Sequence, residues 1–250
     1  MDTFPLLSII IFFPLAGAVL LALAPRKNAL FIKASALIIT LLEFALSLPL
    51  FFNFNEQTTA MQFGEHWEWF PEWGISYFIG IDGISMLLVM LTTLLSILCV
   101  LCSWEAIEKR IKEFYISYLL LETAMLGALC AIDLVLFYIF WELMLVPMYL
   151  LIGVWGGPKR IYAAIKFFLF TMVGSVLMLL AILTLYFYYG SQTGIYTFNV
   201  LTLYEAGLPV AMQYWLFAAF ALSFAIKVPM FPFHTPGCLM PIPRPPLPAA

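Results

Sequence analysis

An all-α, polytopic transmembrane helix bundle of about seven spans is the fold class this sequence predicts, and three observations predict it. The composition is 64% apolar and only 10% charged over 250 residues. A soluble domain of that length could not hide so much apolar surface. Apolar runs long enough to cross a bilayer recur along the chain. Bases and acids then separate by loop parity, as the two faces of a membrane require. With spans at about 5–24, 29–52, 79–103, 114–131, 134–155, 161–188 and 212–233, one face receives Arg26, Lys27, Lys33, Lys109, Arg110, Lys112, Lys159, Arg160 and Lys166. These are nine of the eleven Lys and Arg; Lys227 lies at depth and Arg244 in the tail. The opposite face receives Glu56, Glu65, Glu68, Glu72, Asp133 and Glu205, and no base.

The first span reads as a retained helix and not a signal peptide, because Asp2 stands where a basic segment belongs and further spans follow. Lys33, at the basic end of the second span, can snorkel to the interface, as can Lys166 in the sixth. The outer loop 53–78 carries Trp67, Trp69, Pro71 and Trp73 between acids, an interfacial aromatic cluster and not a separate domain. Asp82, with Ser85 three residues on, is an N-cap for the third span. Cys99 and Cys102 form a CxxC on a lipid-depth helix with no nearby His, so neither a metal site nor a disulfide framework is expected. Asp133 splits 114–155 into two spans; without the split, the charge separation collapses after residue 131. The positive-inside rule puts the N-terminus outside and the basic loops in the cytoplasm. No internal repeat or soluble domain is found, and a net charge of −3 gives no reason to expect a nucleic-acid partner.

Glu142 is the most informative residue. It lies about nine residues beyond Asp133, and at roughly 1.5 Å per residue it sits near the centre of a ~30 Å hydrocarbon slab. Placing a charge there costs about 2.5–3.5 kcal/mol on insertion scales. Lys227 is buried in the same way in the last span. An acid and a base within reach of each other at depth hold each other charged; once they are separated, the lysine can release its proton. Pro229 and Pro232 interrupt the helix just after Lys227, and Pro147 frees a carbonyl one turn beyond Glu142. Broken helices survive at depth where they line a polar cavity or pack on protein. The competing reading is a static ion pair that fixes helix packing. Glu122, also mid-span, fits function and static pairing alike, Glu43 could pair within the bundle, and His234 could relay protons or mark the interface.

The stretches FYIFWELMLVPMYLLIGVWGGPKRIYAAIKFFLFT, GIDGISMLLVMLTTLL and LSFAIKVPMFPFHT resemble the chain-4 (M-type) antiporter-like subunits of respiratory NADH:quinone oxidoreductase, complex I. The likeness runs over residues 1–235. The WELMLVPMYLLIG wording separates it from the chain-5 and chain-2 relatives and from multisubunit cation/proton antiporters. The resemblance implies the N-terminal half of a fourteen-helix proton-translocating subunit built on two inverted five-helix repeats. It implies that Glu142 and Lys227 form a coupled pair driven by quinone reduction elsewhere. NADH, FMN, iron–sulfur clusters and quinone would belong to partner subunits, with no cofactor or redox chemistry in this chain. Other membrane-arm subunits and the lipid bilayer would be its partners, the quinone pool an indirect one, and an energy-transducing membrane, such as the bacterial inner membrane, its location. The alternatives are a subunit of a multisubunit cation/proton antiporter and a membrane scaffold that does not pump.

After Thr235 the family continues W-L-P-D-A-H-T-E-A-P-T-A-G-S, whereas this chain reads PGCLMPIPRPPLPAA. A nucleotide string encoding the observed tail also encodes the family motif when read two bases later. A frameshift is therefore expected here, with 236–250 an out-of-frame tail. A product ending so would leave Lys227 without an onward acceptor and is expected not to pump.

Overall fold

The computed structural model describes residues 5–25 and 28–231. Its helices are α1 (Leu6–Leu23), α2 (Ala29–Phe52), α3 (Gly83–Ala106), α4 (Ile111–Cys130), α5 (Leu134–Leu143), α6 (Leu145–Trp155), α7 (Arg160–Thr193), the short α8 (Val200–Leu203) and α9 (Val210–Lys227). Among the described residues, seven stretches are long and apolar enough to cross a membrane, with α5 and α6 together making one of them. About a third or less of most of these stretches is buried within the chain. The remaining faces carry Leu, Ile, Val and Phe outward, which is stable only in contact with hydrocarbon. This is an integral membrane protein.

Several boundaries differ from the sequence reading: the sixth span runs on to Thr193 and not 188, and three further differences have a visible cause. The third helix starts at Gly83 and not at residue 79, because Ile79–Ile81 complete a strand, β2 (Ile75–Ile81). That strand pairs antiparallel with β1 (Gln62–Phe70), with Trp67 opposite Tyr77. A β-hairpin thus stands where only a loop was expected. Its turn closes through Gly74, whose left-handed backbone (φ 65°) lies so near the Tyr196 carbonyl that a Cβ would come within 2.0 Å of it; no other residue fits. The span 134–155 is broken at Met144, since Pro147 has no N–H for the Leu143 carbonyl four residues back. The last helix ends at Lys227 and not at residue 233, with Pro229 two residues beyond. Residues 232–250, and with them His234 and the tail, lie outside the described residues.

The hairpin is held by buried carboxylates. Glu65 on β1, 5% exposed, accepts the N–H groups of Leu7 (2.9 Å) and Ser8 (3.2 Å) and the Ser8 hydroxyl. It caps α1 from 57 residues away, in place of the local cap that Pro5 cannot supply. The Ser8 hydroxyl also meets the Tyr77 phenol at 2.8 Å. Burial pushes that phenol up to about 12; the Ser8 hydrogen bond works against the shift and the Glu65 charge adds to it. Asp133, fully buried, caps α5 through Val135 N (2.9 Å) and Leu136 N (3.2 Å). Its other oxygen accepts from Ser76 N (3.0 Å) and Ser76 Oγ (3.2 Å) on β2. Trp67, Trp69 and Trp73 stay exposed on the hairpin.

At the opposite end, the bases answer helix C-termini. Lys112 donates to the Ala22 and Ala24 carbonyls (2.7 and 2.8 Å), Lys33 to that of Trp104, and Arg160 to that of Val154 (2.8 Å). The same charges that separate the two faces therefore also complement the ends of α1, α3 and α6.

Two of the apolar clusters among the described residues draw on all of α1, α2, α3 and α4. One, near the hairpin, joins Ile10, Leu50, Ile81, Val89, Leu126 and Phe140. The other, near the basic loops, joins Ala18, Leu21, Ala36, Val100, Tyr115 and Leu119.

Asp82 caps α3 as its spacing predicts, accepting Ser85 N at 2.7 Å. That N–H holds its carboxyl below the usual carboxylate range. A lowered folded pKa contributes stability that is present above the unfolded value and lost as pH falls through the folded one. Below about pH 4, the first turn of α3 is expected to fray, read as faster hydrogen exchange at the Ser85 amide. Asp82→Asn, a comparable cap, should abolish that pH dependence.

Candidate functional site

Three elements assemble the site around Trp141. On α5 the Asp133 cap sets the start of the helix, and the break caused by Pro147 sets its end, so Trp141 and Glu142 occupy its last turn. A helix C-terminus presents backbone carbonyls with partial negative charge. On α7, Gly174 lets α9 approach closely: a Cβ there would lie 2.9 Å from Ile226 Cδ1 and 3.5 Å from Ser223 Cα. That approach brings Lys227, the next residue along α9, toward α5.

Lys227 Nζ donates to the Trp141 carbonyl at 2.5 Å and stands 4.1 Å from the centroid of the Trp141 ring. Phe224, one turn earlier, meets the same indole edge-on at 5.2 Å. The ammonium is thus held by two neutral acceptors, a carbonyl and a π face. Glu142 acts on Lys227 through space, but its Oε1 is buried with no hydrogen-bond partner. No direct ion pair joins the two. Tyr138, one turn before Glu142 on α5, lies near the Glu142 carboxylate and near Ser175 of α7, whose hydroxyl donates to the Met172 carbonyl at 3.0 Å.

The sequence-predicted residues therefore divide. Glu142 and Lys227 share one electrostatic neighbourhood. Glu122 stands elsewhere, beside Glu43 and Ser96 in the α2–α3–α4 bundle. Trp141, Tyr138, Ser175 and Gly174 were not singled out from sequence. Tyr138 could have been, since it lies four residues before Glu142 on the same helix face. The contributions of Ser175 and Gly174 depend on how α7 packs and leave no local signal.

Chemically, this arrangement couples two charges without locking them. With no ion pair between them, Lys227 is held by neutral contacts, with the Glu142 carboxylate acting on it through space. Because the two groups interact through space, a change in the charge of Glu142 changes the energy of the ammonium.

Residues 131–236 match the family described as NADH:quinone oxidoreductase/Mrp antiporter, TM. NADH-quinone oxidoreductase subunit M of Rhodobacter capsulatus is 45% identical over 245 residues, covering 92% of this chain and 46% of that protein. A chain of respiratory complex I from Thermus thermophilus superposes with a TM-score of 0.78 at 32% identity, over 92% of this chain and 45% of that one. A chain of the Mrp complex from Dietzia shares the fold, with a TM-score of 0.74 at 20% identity, over 92% of this chain and 24% of that one. The chain spans about half the length of the curated relatives it matches.

Proposed function

We infer, for a chain whose residues 131–236 match the family described as NADH:quinone oxidoreductase/Mrp antiporter, TM, that it is the N-terminal part of a membrane-arm subunit of complex I that translocates protons. The observation that carries this reading is the Lys227 ammonium, seated on the Trp141 carbonyl and ring and within the field of an unpaired Glu142. Such a pair stores a proton on the lysine and releases it when the field of the acid changes. The driving energy comes from quinone reduction in other subunits, which also hold NADH, FMN and the iron–sulfur clusters. The basic loops face the cytoplasm and the hairpin the outside. The antiporter alternative has less support, since 45% identity to a subunit M stands against 20% to the Mrp chain.

The test is Glu142→Gln in the full-length protein within its assembled complex. Assembly should persist, because the amide keeps the shape of the carboxyl and that carboxyl makes no ion pair. Proton translocation, followed by a pH-sensitive dye in vesicles, should fall about 100-fold or more, as when a positioned proton-transfer group is lost. Undiminished pumping would mean that these charges only brace helices.

A further inference from the structure

A second set of ionisable groups lies away from Glu142 and Lys227, at mid-depth between α2, α3 and α4. Glu43 and Glu122 are both 0% exposed, and their carboxyls face one another. The Ser96 hydroxyl of α3, 1% exposed, points at Glu122. Other hydroxyls in this layer are satisfied within their own helices: Thr40 on the Ala36 carbonyl (3.3 Å), Thr93 on that of Val89 (3.2 Å) and Thr123 on that of Leu119 (3.1 Å). Five oxygens are not: both carboxylate oxygens of Glu43, both of Glu122, and Ser96 Oγ complete no hydrogen bond. Buried polar atoms without partners are costly, and a cluster of them marks a place where something binds.

The groups around the cluster say what binds. The titratable neighbours are Tyr118 on α4, beside Ser96 and Glu122, and Cys99 on α3. Neither brings a positive charge, and α1, which packs on α2 and α4, carries no titratable side chain. Two anionic carboxylates facing each other here would have nothing to oppose their charge, at a cost of several kcal/mol each.

The two apolar clusters close the layer on both sides. Glu43 lies between Ala36 and Leu50 on α2, Ser96 between Val89 and Val100 on α3, and Glu122 between Leu119 and Leu126 on α4. We propose that Glu43, Glu122 and Ser96 form a second proton-binding site, occluded from both membrane faces, in which the facing carboxyls hold a proton between them and Ser96 completes the hydrogen-bonding chain. The site is separate from the Glu142–Lys227 pair and does not depend on the role given to that pair.

The experiment is infrared spectroscopy of the full-length protein reconstituted in lipid. A carbonyl stretching band of protonated carboxylic acid should persist at neutral pH in the unmodified protein, where exposed carboxyls are ionised. Its deuterium shift on transfer to D2O should be slow, because both apolar clusters bar water. The band should be lost in Glu122→Gln and lost or shifted in Glu43→Gln, since one proton is shared. Absence of the band in the unmodified protein overturns the proposal without any variant having to fold. So does a band that survives both substitutions, or one that appears only when sodium is removed, which would mean that the carboxylates hold a metal cation instead.

Discussion

Replacing Lys227 by Met in the full-length protein should abolish proton translocation while leaving the complex assembled. The ammonium contributes one hydrogen bond to the Trp141 carbonyl and one cation–π contact, and Met fills nearly the same volume against the indole. The loss in pumping should be about 100-fold or greater. Lys227→Arg makes the sharper comparison. Arginine keeps the charge and can still donate to the carbonyl, but it does not give up its proton at any relevant pH. If Lys227 releases a proton in each cycle, the Arg variant should be as inactive as the Met variant. If the Arg variant pumps at the normal rate, the site needs only a fixed positive charge, and the proton-carrying role of Lys227 is lost. Vesicle acidification measured alongside NADH oxidation separates lost pumping from lost assembly.

The second large effect is structural. Asp133→Ala should lower the stability of the detergent-solubilised protein by about 3 kcal/mol, combining the loss of a helix cap with that of buried hydrogen bonds. Asp133 is fully buried and accepts from Val135, Leu136 and both donors of Ser76. Truncation leaves these buried and part-buried donors without their acceptor. It also unties β2 from α5, the helix that carries Trp141 and Glu142. Asp133→Asn should fall between, because an amide still caps the helix, whereas its NH2 group opposes the donors of Ser76 if turned toward β2. Thermal unfolding of the two variants, followed by tryptophan fluorescence, orders them. Equal midpoints for Ala and wild type would mean that the hairpin is held by its apolar contacts alone.

The features legible in the sequence were those with a local cause. The spans follow from apolar run length, and the clustering of bases at one end follows from loop parity. The cap at Asp82 follows from a spacing of three residues. Glu142 and Lys227 stood out because a charge in hydrocarbon is costly wherever the chain leads. The hairpin was missed because its alternation is masked by aromatic residues that read equally well as an interfacial belt. Glu65 looked like one more outer acid, although it caps a helix 57 residues away. Glu43 was expected to find a partner in the bundle, and the residue it faces is another acid.

Sequence by itself determined that this chain lives in a membrane, which of its ends carries the bases, and that ionisable groups are kept at depth, since transfer from water to hydrocarbon is a property of each residue and its near neighbours. Only the tertiary structure decided which of those groups meet. Lys227 rests on the carbonyl and ring of Trp141 because Gly174 admits α9 and Pro147 ends α5. Glu122 joins Glu43 because α2 and α4 pack together. Contacts between distant helices depend on the shapes of whole packed surfaces, and no short stretch of sequence contains them.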